Sequence, residues 1–230
     1  MKVSFLFTAW TAGALVAAFL GLTASCTSPT TATTTTTGSG WTQTTSAAPR
    51  TSYVKTELDA FNSALSSSLK TEKYTTMSAD VFSFFRATNH LFAKDFAASP
   101  ELAPYASSAN VRTWLQGDAH LENMGSFHDD KGTIVYHLND FDEAVVGPWQ
   151  LDLWRFAVSI DLAMKQTGLF PSWTDRSTVI DAFVEGYLDQ IEYYQGNSKE
   201  TSDKFTSSNT YGQLDDFLAG VMDTNSYSRS

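Results

Sequence analysis

Between Val111 and Leu138 the apolar residues change period, and this limits the fold more than any other feature of the chain. Upstream, Leu58, Phe61, Leu65 and Leu69 recur at three or four residues, the spacing of one helical face, in a helix opening at Tyr53. Ser78 reads as the N-cap of a second helix carrying Val81, Phe82, Phe85, Leu91 and Phe92. Ser99 to Pro104, with two prolines, reads as a loop. Val111 to Gln116 is then a short strand running into Gly117-Asp118. Asn123 to Phe127 and Thr133 to Leu138 flank the turn Asp129-Asp130-Lys131-Gly132, and Ile134, Tyr136 and Leu138 alternate onto one face, as in a β-hairpin. Gly147-Pro148 is expected to break the chain. Helical spacing returns from Trp149 to Lys165, with Leu153, Phe156, Ile160 and Met164 inward. Thr174 caps a further helix with Val179, Ile180, Phe183, Val184, Tyr187, Leu188 and Ile191 inward, ending at Gly196 or Asn197. The chain beyond turns polar, with one short helix around Leu214 to Met222, and is expected to pack loosely. The fold class is therefore α+β, mostly helical with a small antiparallel β-hairpin region. Trp114, Trp149 and Trp154 are read as core around that hairpin.

The first residues do not belong to that fold. Lys2 is followed by an apolar run from Phe5 to Leu22 and by the small residues Thr23-Ala24-Ser25, so residues 1–26 read as a signal segment. The run, about 18 residues, also has the length of a spanning helix. The chain has one cysteine, Cys26, directly after this segment. LTASC resembles a bacterial lipobox, whose cysteine becomes the lipidated first residue, although Thr23 departs from the usual pattern. The expected location is extracytoplasmic, as a lipoprotein anchored through Cys26, with plain secretion and an uncleaved anchor as alternatives. Residues 27–52 are rich in Thr and Ser, including TTATTTTTGSG, and have too little apolar surface to fold, so they read as a tether. The globular domain is expected over 53–197, with a polar extension over 198–230.

The net charge of −10 argues against nucleic-acid binding, which needs a basic stripe, and against adhesion to anionic lipid. A lone cysteine leaves no intramolecular disulfide and no cysteine cluster for zinc. The chemistry concentrates between Gly117 and Asp152, where acidic groups stand at strand ends. Asp118 follows a strand and a glycine, Asn123 lies five residues on, and Asp140 ends the next strand. A loop carboxylate can orient and deprotonate a hydroxyl. An Asn carbonyl and an Asp carboxylate are hard oxygen ligands suited to Mg2+. The layout resembles a phosphotransfer site of the protein-kinase superfamily, with a catalytic Asp, an Asn five residues later and a second Asp after a hairpin.

Two stretches, GDAHLEN and LNDFDEAVVGPWQLDLWR, together with the upstream VFSFFRATNHLFAKDF, resemble the bacterial domain-of-unknown-function family 2252 over roughly Ser78 to Tyr194. They also look distantly like aminoglycoside-phosphotransferase and kinase-like proteins, so the fold is expected to resemble a kinase-like catalytic lobe. The resemblance implies Asp118 as catalytic base, Asn123 and Asp140 as metal ligands, and Asp152 as a structural Asp bracing the catalytic loop. It implies Mg2+, a small-molecule or carbohydrate hydroxyl as acceptor, and a nucleotide donor whose identity stays open. Gln116 stands where such a loop usually has His, and no glycine-rich loop with a strand lysine precedes the motif. No nucleotide-holding segment follows it before Ser230, so the chain is read as a fragment or as having lost that half. A non-catalytic binding module, a pseudo-enzyme or fragment on the same scaffold, is the rival function.

Other residues have plainer readings. Asp142 and Glu143 also read as a solvated loop, and Asp152 as a first-turn helix acid favoured by the dipole. His120 braces its loop through backbone or a carboxylate; a metal site of His120, His128 and His137 is the lesser alternative. Arg86 is expected half-buried and paired with a carboxylate, with phosphate binding as the sharper alternative. Intact-mass analysis of the mature protein should show a chain beginning at Cys26 and carrying lipid; an intact Met1 terminus in membranes would rule out both the lipoprotein and the secreted readings.

Overall fold

The computed structural model describes residues 47–99 and 111–227. The apolar run, Cys26, most of the tether and most of the loop from Ser99 to Pro104 lie outside them. Helix α1 (Ala47–Phe61) begins inside the stretch expected to be tether. It does not continue to Leu69. The Asn62 amide donates to the Leu58 carbonyl at 2.9 Å and closes the helix, and Ser66 caps a new one, α2 (Ser67–Met77). Phe61 and Leu69, read as one buried face, are therefore 58% and 51% exposed.

The second expected helix is also divided. Asp80, not Ser78, caps α3 (Val81–Ala87), because its carboxylate reaches both the Ser83 amide (2.8 Å) and the Ser83 hydroxyl (2.7 Å). Ser78 instead ends α2. The Thr88 hydroxyl bonds back to the Phe84 carbonyl at 2.8 Å, and the chain bends there before α4 (Asn89–Ala98).

Two small antiparallel ribbons follow. β1 (Arg112–Leu115) pairs with β4 (Val145–Pro148), with Trp114 opposite Val146. β2 (Met124–His128) pairs with β3 (Ile134–Leu138) as the expected hairpin. Its turn is held by Asp129, whose carboxylate accepts from the amides of Lys131 and Thr133 at 2.9 and 2.8 Å. β4 lies where Gly147-Pro148 was expected to break the chain; a proline is tolerated at the end of such a two-stranded ribbon.

α5 (Gln150–Thr167) and α6 (Trp173–Tyr194) make the core. Phe156, Ile160 and Met164 of α5 meet Val179, Phe183 and Tyr187 of α6, all at most 7% exposed, and Phe156 stacks on Phe183 at 5.3 Å. Ala119, Met124 and Leu138 join this cluster, which seats the site loop and the hairpin root on α5. Ser172 caps α6 by accepting from the Asp175 amide, in place of Thr174. Leu188 and Ile191, expected inward, are 57% and 37% exposed. Trp149 is partly buried and stacks on Tyr187, whereas Trp114 and Trp154 are largely exposed, because no described element covers that side of the β1–β4 ribbon or of α5.

The polar segment after Asn197 is mostly exposed but is tied to the hairpin at a few points. The Tyr136 amide donates to the Phe205 carbonyl at 2.9 Å, and Lys204 pairs with Asp129 at 2.7 Å. α7 (Gln213–Tyr227) packs on β3, with Leu218 fully buried and Phe217 edge-on to Tyr136. A few single anchors hold this segment, not an apolar stripe. Lys204→Ala is expected to speed amide exchange around Phe205 and in α7 severalfold while barely moving the urea midpoint; unchanged exchange would show that the ion pair does not secure the docking.

Candidate functional site

The loop after β1 starts with a backbone only glycine accommodates. Gly117 has φ +91°, and a Cβ there would stand 2.0 Å from the Glu143 carbonyl oxygen. The loop from Gly117 to Asn123 is thus pressed against the loop from Asp140 to Ala144. Gln116, fully buried, fastens the two together. Its amide nitrogen donates to the carbonyls of Asn139 and Asp140, and its amide oxygen accepts from the Asp118 N–H at 2.9 Å. At the far end of the loop the Asn139 amide donates to the Asn123 carbonyl at 2.8 Å.

From below, α5 holds the same loop with three polar residues on one face. Asp152, buried at 4% exposure, accepts from the amides of Gln116 (2.7 Å) and Gly117 (3.2 Å). Burial pushes its carboxyl up to about 6, opposed by those two N–H groups and by the Arg155 charge. Arg155, one turn on, binds the Asp118 carboxylate through Nε at 2.6 Å and through a second nitrogen, donates to the Phe85 carbonyl at 3.1 Å, and lies over the rings of Phe85 and Phe92. Burial lowers its pKa, and the Asp118 charge opposes this. Ser159 accepts from the Leu121 amide at 3.1 Å.

Asp118 was expected to carry a free carboxylate; it is half of a buried ion pair. Its Oδ2 lies 3.6 Å from Nε2 of His120, a 1% exposed ring set edge-on to Phe82. Asn123 is buried, and its side-chain nitrogen donates to the Asp118 carbonyl at 3.0 Å, closing the loop on itself. Asp140 sits in the left-handed region at φ 57°, a conformation Asp tolerates better than most residues. It is exposed, as are Asp142 and Glu143. The pKa of the Glu143 carboxyl is raised, first by burial and then by the charges of Asp118, Asp140 and Asp142, which lie within electrostatic reach of it. Arg86 pairs with a carboxylate as expected, that of Glu122, at the surface, with the two side chains 45% and 55% exposed. His128 is exposed at the end of β2, while burial lowers the pKa of His137 on β3. Among the described residues no three His, Cys, Asp or Glu side chains gather into a ready metal cage, and no helix is long and apolar enough to cross a membrane.

Asp118 also opens onto a groove of about 600 Å³ between α2 and α3, lined among others by Leu65, Leu69, Lys73, Met77 and Arg86. Gln116, Arg155 and Ser159 were missed as site residues by sequence reasoning. The spacing of Asp152, Arg155 and Ser159 beside the apolar face of α5 was the available signal, since such polar residues need partners when buried.

The family described as an uncharacterized protein conserved in bacteria (DUF2252) matches residues 66–226, and the chain belongs to that family. The match takes in every element from α2 through most of α7. No curated protein and no solved structure matches the chain.

Asp118→Asn should leave the Arg155 charge buried without an anion and destabilise the protein by about 3–5 kcal/mol, whereas Asp118→Asn with Arg155→Met should recover part of that loss. Urea unfolding of the single and double variants checks this; a single variant within about 1 kcal/mol of the parent would mean that the pair carries no such strain.

Proposed function

We propose that this protein is exported and carries a kinase-like phosphotransferase site, in which a small-molecule or carbohydrate hydroxyl is presented to Asp118. The observation carrying the proposal is the gathering of acidic groups from two loops, Asp118 on one and Asp140, Asp142 and Glu143 on the other, tied together by the buried Gln116. Gln116 stands where the resembled loop usually has His, and its side chain gives that position a bridging role between the two loops. Like charges at such a junction favour a cation among them. Mg2+ is held by one or two carboxylates plus substrate phosphates and keeps several waters, which suits oxygen ligands such as these. Asp140, exposed after β3, would hold it in the resembled layout together with the amide oxygen of Asn123, the part of that side chain not spent on the Asp118 carbonyl. When bound, the ion would offset charge on the transferring group.

The chain's own residues divide the remaining work. Arg155 fixes Asp118 Oδ1, which leaves Oδ2, beside His120, to accept the hydroxyl proton as the substrate oxygen attacks phosphorus and the donor P–O bond breaks. Asp152 and Ser159 hold the loop in register.

A second reading is favoured by one observation, the double clamp of Arg155 on Asp118, which suits a non-catalytic binding module as well as a base. Calorimetry separates the two. The full chain should bind Mg2+, and Asp140→Asn, which keeps the left-handed backbone accessible, should weaken that binding roughly tenfold. Equal Mg2+ affinity in the two proteins, or none in either, would remove the phosphotransfer reading and leave the binding module.

A further inference from the structure

The groove beside Asp118 has a composition of its own. Its 600 Å³ suits a small molecule and is too small for a folded partner. Leu65, Leu69 and Met77 supply an apolar wall, and Leu69 remains half exposed along it. Lys73 follows Leu69 by one turn of α2 and so stands on the same side of the helix. It is partly buried, its Nζ lies 5.4 Å from the centre of the Phe61 ring, and it pairs with no carboxylate among the described residues. The other cations of the groove are already matched, Arg86 by Glu122 and, behind Asp118, Arg155 by Asp118 itself. Glu72 is on the exposed rim, where water screens it. One partly desolvated cation next to an apolar wall has a defined complement.

We infer that the groove between α2 and α3 binds an amphipathic small-molecule anion, with its apolar body against Leu65, Leu69 and Met77 and its carboxylate, sulfonate or phosphate on Lys73. This deepens the phosphotransfer reading, because such a ligand reaches Asp118 at the end of the groove with whatever hydroxyl it carries. It names the acceptor class as an anionic, partly apolar molecule, in contrast to a cationic or a wholly polar one.

The test uses three probes that share one ring system and differ in charge: 2-naphthalenesulfonate, 2-naphthol and 2-naphthylmethylammonium. Each is titrated into the full chain by calorimetry, without Mg2+ or nucleotide. The sulfonate should bind about tenfold more tightly than the naphthol, with the ammonium weakest. Lys73→Met should erase the preference for the sulfonate while leaving the naphthol unchanged. Leu69→Glu, on an exposed wall position that should not disturb folding, should abolish binding of the sulfonate and of the naphthol. A preference for the ammonium, an unchanged order in Lys73→Met, or undiminished binding in Leu69→Glu would overturn the inference. Asp140→Asn should leave sulfonate binding as it is, so a failure of Mg2+ binding sinks phosphoryl transfer without touching the groove, and a failure of the probes does the reverse.

Discussion

The structure around the site depends on one buried polar edge of α5. α5 sends Phe156, Ile160 and Met164 into the core and sets Asp152, Arg155 and Ser159 under the loop that follows β1. A guanidinium with no exposed surface is tolerable only if its charge and donors are met. Asp118, the Phe85 carbonyl and two aromatic faces meet most of them. The loop cannot move without exposing that charge to an apolar environment, so the Arg155 pair sets the loop position and the stability of the α3–α5 contact together.

From this follows the shape of the acidic junction. Asp152 takes the first two amides of the loop, Gln116 reaches across to the end of β3, and the close approach of Gly117 to the Glu143 carbonyl leaves no room for a side chain between the loops. The two ribbons, β1–β4 and β2–β3, have little hydrogen bonding beyond their own pairs, and their common root on α5 is what brings their loops to one place. The Arg155 ion pair fixes the Asp118 end of this junction, and neutral hydrogen bonds from Gln116 fix the Asp140 end.

The family match agrees with the motif-bearing stretches and extends past them on both sides, into α2 and most of α7. Both added segments have structural work to do. α2 builds one wall of the groove that Asp118 opens onto, and the segment ahead of α7 supplies Lys204 and Phe205 to the hairpin.

Much was legible in the sequence where a local period or turn chemistry carries the information. The hairpin from Met124 to Leu138, the inward face of α5 and the acidic character of the loops after β1 and β3 all follow from alternation, from spacing of three or four residues and from turn residues. The breaks at Asn62 and Thr88 were not legible, because each depends on a side chain choosing a nearby carbonyl over solvent. Nor was the pairing of β4 with β1, whose residues are thirty and more positions apart and whose four-residue strand contains Gly and Pro. The exposure of Trp114 and Trp154 and the docking of Phe205 and Leu218 were settled by which elements come to lie alongside. For the site, sequence alone named Asp118, Asn123, Asp140 and Asp152. Only the tertiary structure decided that Asp118 is bound by Arg155, that Gln116 joins two loops and that Arg86 stays at the surface. The physical reason is that a period reports which face of an element avoids water, whereas the partner of a buried charge is whatever the fold brings within a few ångströms, often from far along the chain.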